Sequence, residues 1–128
     1  MTTSTQNSGQ SLYERLGGYD TIAAIVDDFL GRMRVDPAFI RFSGRGLDSV
    51  RRARQLLVDQ MCALAGGPCL YTGRDMKTTH GGLGITAPEW EVSLGHAAAA
   101  PDQCKVPARE KEDFIALFER YRAEIVEG

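Results

Sequence analysis

Apolar residues along this chain recur every three or four positions, and no stretch alternates convincingly with period two. That pattern predicts an all-α protein with four main helices and no internal repeat. Ser11 followed by Glu14 forms a capping box for a short first helix that stops at Gly17-Gly18. Asp20 is expected to cap a longer helix whose Ile22, Ile25, Val26, Phe29, Leu30 and Met33 share one face. Asp36-Pro37 opens a helical turn through Phe39 and Phe42, which Ser43-Gly44-Arg45-Gly46 breaks. The next helix runs from about Leu47 to Ala65 with Leu47, Val50, Leu57, Met61 and Leu64 on one side. Gly66-Gly67-Pro68 ends it, and a loop is expected from Cys69 to Arg74, then a short helix from Asp75 to His80 and an irregular hinge to Ile85. Thr86-Ala87-Pro88-Glu89 signals another helix start, leading through Trp90 and Leu94 towards Cys104, with Pro101 as an expected kink or early end. Beyond Val106-Pro107, the residues Phe114, Leu117, Phe118, Tyr121 and Ile125 form the cleanest amphipathic stripe of the chain.

At 128 residues the chain suits one domain, residues 11–128, behind a polar tail of residues 1–10 that is expected to be disordered. A formal charge of -2 gives no electrostatic case for nucleic acid or an anionic membrane. No apolar run reaches the length of a membrane span, and the polar start lacks the core of a signal peptide. Cys62, Cys69 and Cys104 are an odd, widely spaced set without a Cys-x-x-Cys, which points to reduced, buried thiols in a cytoplasmic protein.

Two histidines remain as candidates for chemistry. His80 closes a short polar segment before a glycine-rich break, and a neutral imidazole is a standard axial ligand for haem iron. His96 lies six residues after Trp90, about 240° around the helix from it. It is therefore expected to be partly exposed or interhelical. None of the usual zinc-ligand spacings joins these histidines to the cysteines.

Met76-Lys77-x-x-His80-x-Gly82-Leu83-Gly84-Ile85 resembles the proximal-histidine segment of the group I truncated haemoglobins, the two-on-two globins. Leu12-Tyr13-Glu14-Arg15-Leu16-Gly17-Gly18, Asp27-Asp28-Phe29, Gly66-Gly67-Pro68 and Tyr71-Thr72-Gly73 extend the match from Leu12 to Val126. The resemblance implies two antiparallel helix pairs stacked crosswise around haem b, with His80 as the iron ligand. It places Met76, Ile85, Trp90 and Leu94 on the proximal face of the haem and Tyr71 near its edge. Phe42 packs against the porphyrin in the family, and Phe29, Leu30, Leu57 and Met61 shape the distal cavity. Lys77 and Arg54 are the candidate cations for the haem propionates.

The distal side departs from the family pattern. Leu30 stands where group I members usually carry a tyrosine whose hydroxyl holds bound oxygen. Of the two nearby glutamines, Gln60 lies about 70° and Gln55 about 150° from the centre of the helix's apolar face, and Arg54 about 50°. Gln60 can edge into the pocket, whereas Gln55 should face water. The implied function is reversible binding of a diatomic gas: oxygen, nitric oxide or carbon monoxide. Family members can also convert nitric oxide to nitrate, which needs an outside electron donor. A monomer or weak homodimer is expected. The alternatives are a cofactor-free helical interaction module and a haem-based sensor or peroxidase.

Overall fold

Ser11 starts the first helix through both halves of its capping box: its hydroxyl accepts from the Glu14 amide, and the Glu14 carboxylate accepts from the Ser11 amide. The computed structural model describes residues 10–42, 47–73, 75–77 and 83–127, apart from the side chains of 40–42 and 47–49. Helix α1 (Leu12–Leu16) ends at Gly17 in the left-handed region, φ +110°, where a β-carbon would also strike Thr21. Helix α2 follows over Tyr19–Val35. Gly18 occupies its N-cap without a side-chain bond, so Asp20 falls inside the first turn instead of capping it. There its carboxylate still faces the positive end of the helix.

A 3-10 turn (Pro37–Phe42) leads on to helix α3 (Leu47–Leu64). Helix α4 (Ala87–Gln103) opens on a second capping box, between Thr86 and Glu89, with a proline in its first turn. Pro101 does not end α4 early: it sits buried in the last turn, and the helix continues to Gln103. The helix closes when Lys105 takes a positive φ of 61° and the Val106 amide reaches back to the Pro101 carbonyl at 2.9 Å. The C-terminal stripe is split into α5 (Ala108–Glu119) and α6 (Arg122–Ile125). At the break the Tyr121 amide bonds three residues back, to Phe118, which tightens the turn.

Helix α2 packs against α3 and α4, α4 packs against α5, and α1 joins α2 to α5. Ile22, Ile25, Val26, Val58 and Phe114 are almost wholly removed from solvent at the centre of this arrangement. Burying a side chain of that size stabilises the fold by about 1.5–3 kcal/mol. All regular structure among the described residues is helical, and none of those helices is long and apolar enough to cross a membrane.

The connection after α3 corrects the expectation of three reduced thiols. Gly66, at φ +90°, turns the chain back, and the Gly67 amide bonds to the Cys62 carbonyl at 2.8 Å. A β-carbon on Gly67 would lie 2.3 Å from Tyr13 and 2.7 Å from the Cys62 sulfur, so only glycine fits this return. Cys69 is thereby delivered to Cys62, and the two form a disulfide with Cα atoms 5.7 Å apart. Only Cys104 is a free cysteine, and burial pushes its thiol pKa up.

Candidate functional site

Most of the buried apolar residues among those described fall into two clusters. The larger contains Ile22, Ile25, Val58, Met61 and Phe114, with Leu30 and Leu57 packed against it. The smaller is built on Ile85, Trp90 and Ile125, with Met76, Leu83 and Leu94 around them. Single domains of this size usually show one contiguous core. Among the described residues, every candidate for the distal side of a haem lies with the larger cluster or on the helices that form it. Met76, Ile85, Trp90 and Leu94, the proximal candidates, all lie in the smaller one.

Local structure explains how the smaller cluster is held. Its Met76 and Lys77 form a helical turn. The stretch from Leu83 to Thr86 is then clasped by the C-terminus: the Glu127 amide donates to the Ile85 carbonyl at 2.7 Å, and the Glu127 carboxylate accepts from the Gly84 amide at 2.7 Å. The capping box of Thr86 fixes the direction of α4, so Trp90 and Leu94 point into the same apolar wall. Sequence reading missed Glu127, since 43 residues separate it from Gly84 and nothing local signals the bond. Tyr71 is half-buried nearby; its phenol pKa is raised by burial and further by Tyr121 and Asp75.

On α3 the helical phase separates the two glutamines as expected. Gln60 is 5% exposed and is the buried polar side chain among the described residues. Gln55 is exposed, and its amide donates to the Tyr19 hydroxyl at 2.9 Å and to Asp59 at 3.0 Å. Met61 is buried beside Gln60, and Leu57 is half-buried one turn before it.

Two expected site residues are otherwise engaged. Arg54 grips Asp27 of α2 with two hydrogen bonds, at 2.7 and 3.0 Å, so its charge is tied to that carboxylate rather than free for a propionate. The same contact lowers the Asp27 pKa and raises that of Arg54. Phe29 sets its ring edge-on to Phe118, centroids 5.3 Å apart, which ties it to α5. Leu30, its neighbour, offers only carbon to the larger cluster. Lys77 is exposed. His80 and the side chain of Phe42 lie outside the described residues.

His96 is partly exposed and interhelical, with its Nε2 2.7 Å from Asp36 Oδ2. A carboxylate only accepts, so the imidazole proton resides on that nitrogen. Asp36 Oδ1 meanwhile accepts the Ala38 amide at 2.9 Å and starts the 3-10 turn that carries Phe42. The His96 hydrogen bond, followed by that of Ala38, holds the Asp36 pKa below the ordinary carboxylate value.

The family model described as bacterial-like globin matches residues 11–127. A group 1 truncated hemoglobin of Nostoc commune is 32% identical over 90 residues, covering 67% of this chain and 71% of that protein. Another, of Mycolicibacterium paratuberculosis, is 29% identical over 119 residues, 92% of this chain and 85% of the relative. Among solved structures, the Fe(III) truncated hemoglobin of Tetrahymena pyriformis superposes with a TM-score of 0.83 at 22% identity, covering 93% of this chain and all of that one. The helices are therefore arranged as the two-on-two sandwich of those structures.

Proposed function

Because the chain belongs to the bacterial-like globin family, and within it to the group I truncated haemoglobins, its function is gas binding at haem b, and we propose that it binds oxygen reversibly with His80 as the proximal ligand. Haem supplies an iron centre with one face for a protein donor and the other for a diatomic gas. The observation that carries the reading is the division of apolar residues into two clusters. Met76, Ile85, Trp90 and Leu94 of one match the family's proximal wall, while Leu30, Leu57 and Met61 pack against or within the other.

The residues fit such a group chemically. An imidazole at His80 is the neutral nitrogen donor that the iron needs, and the glycines after it leave room for close approach. Met76, Ile85, Trp90 and Leu94 would exclude water from the proximal face of the haem. Leu57, Met61 and Leu30 would present carbon to the gas and keep solvent away from it. Leu30 has no hydrogen to donate. Gln60 is buried on the same helix as Leu57 and Met61, and its amide is the group best suited to offer a hydrogen bond to a polarised ligand.

The test is the absorption spectrum of the haem-loaded protein with and without oxygen, followed by oxygen release from Gln60→Leu. A sharp band near the violet edge that shifts reversibly with oxygen, and faster release from the variant, are the expected results. Absence of a haem band in protein offered haem would refute the proposal.

A further inference from the structure

Trp90 is the one tryptophan of the chain. It is only 6% exposed, and its indole Nε1 has no hydrogen-bond partner, the one buried side-chain nitrogen or oxygen in that condition among the described residues. An indole N–H can donate but never accept. Left unpaired in an apolar setting, it destabilises the fold. Ile85, Ile125, Met76 and Leu94 around it are hydrocarbon or thioether, and the Tyr121 phenol of the same cluster makes no bond to the indole. Among the described residues none supplies the missing acceptor, which a group from outside the chain can provide.

Haem b offers few acceptors. Its ring nitrogens are turned to the iron, and its methyl and vinyl groups accept nothing; the two propionate carboxylates remain. Lys77, next to Met76 of the same cluster, is exposed and suited to a propionate from the solvent side, whereas Arg54 is held by Asp27. Resting on the haem-binding reading above, we infer that the Trp90 indole N–H donates a hydrogen bond to a haem propionate. Trp90 is then an anchor for the carboxylate edge as well as a plate against the porphyrin. A carboxylate is the stronger kind of acceptor, so the pairing also selects a haem whose propionates are free.

Because Trp90 is unique, its indole gives a single ¹H–¹⁵N resonance, which needs no assignment. The experiment compares ferrous protein under carbon monoxide, which makes it diamagnetic, loaded either with haem b or with its dimethyl ester. Both haems produce the same ring-current field, so a difference isolates the carboxylates. With native haem the indole signal should lie downfield and exchange with deuterium about tenfold more slowly, the ratio for roughly 1.4 kcal/mol of added hydrogen-bond strength. Trp90→Phe keeps a ring but removes the N–H. It should speed loss of native haem about tenfold more than it speeds loss of the ester. Equal indole signals and exchange rates for the two haems, with both absorption bands present, would overturn the inference. Should the ester not be taken up, the propionate bending band in the resonance Raman spectrum decides on native haem alone: it should shift in Trp90→Phe, and an unmoved band overturns the assignment. If neither haem gives a band, it is the haem-binding reading that has failed.

Discussion

Leu30 and Gln60 set the chemistry expected around a bound gas. Bound oxygen carries more negative charge than bound carbon monoxide, so a distal donor slows its escape selectively. A hydrogen bond to a charged acceptor is worth about 1.5–3 kcal/mol, on the order of tenfold to a hundredfold in rate. Leu30→Tyr should therefore slow oxygen release by about that factor and carbon monoxide release far less, measured by stopped flow on both gases. An equal change in the two rates would mean steric gating. The Asp36–His96 contact makes a second prediction for single residues. The pKa of Asp36 is lowered in the folded state, so its contribution to stability is complete above the ordinary value of 3.8. It is lost as the pH falls from there through the depressed folded value. Denaturant unfolding of wild type and Asp36→Asn should accordingly differ at neutral pH and converge in acid below 3.8. A gap that stays constant in acid would show that the carboxylate charge is not what the pair contributes.

At the scale of elements, what the sequence reveals are the local signals. Both capping boxes, at Ser11/Glu14 and Thr86/Glu89, are four-residue patterns, and both form. The apolar phase of α3 turns Gln60 inward and Gln55 outward, because helical periodicity depends only on spacing. Features that need two distant segments are invisible in the chain. Asp27 and Arg54 are 27 positions apart, and Asp36 and His96 are 60 apart. The Cys62–Cys69 bond is hidden differently: spacing alone does not show that Gly66 and Gly67 fold the loop back over α3. In the chain-entropy model a loop of this size stabilises by about 2.5 kcal/mol when closed. A reductant, or the change Cys69→Ser, should lower the melting temperature by an amount consistent with that figure. Identical melts with and without reductant would show that the link contributes nothing to the fold.

Among the described residues the apolar interior forms two clusters, and haem is the group that would make one body of the halves. A ligand that binds only the folded state stabilises it by mass action, about 4 kcal/mol at a thousandfold excess over its dissociation constant. The melting temperature should therefore rise clearly when haem is added to haem-free protein. A melt unchanged by haem would argue against a site between the clusters. The most direct test of the central claim is the absorption spectrum of His80→Gly titrated with haem beside wild type and His96→Ala. If His80 holds the iron, the glycine variant loses or severely weakens the haem band, added imidazole restores it, and His96→Ala keeps the wild-type spectrum. Loss of the band in His96→Ala, with His80→Gly unaffected, would contradict it.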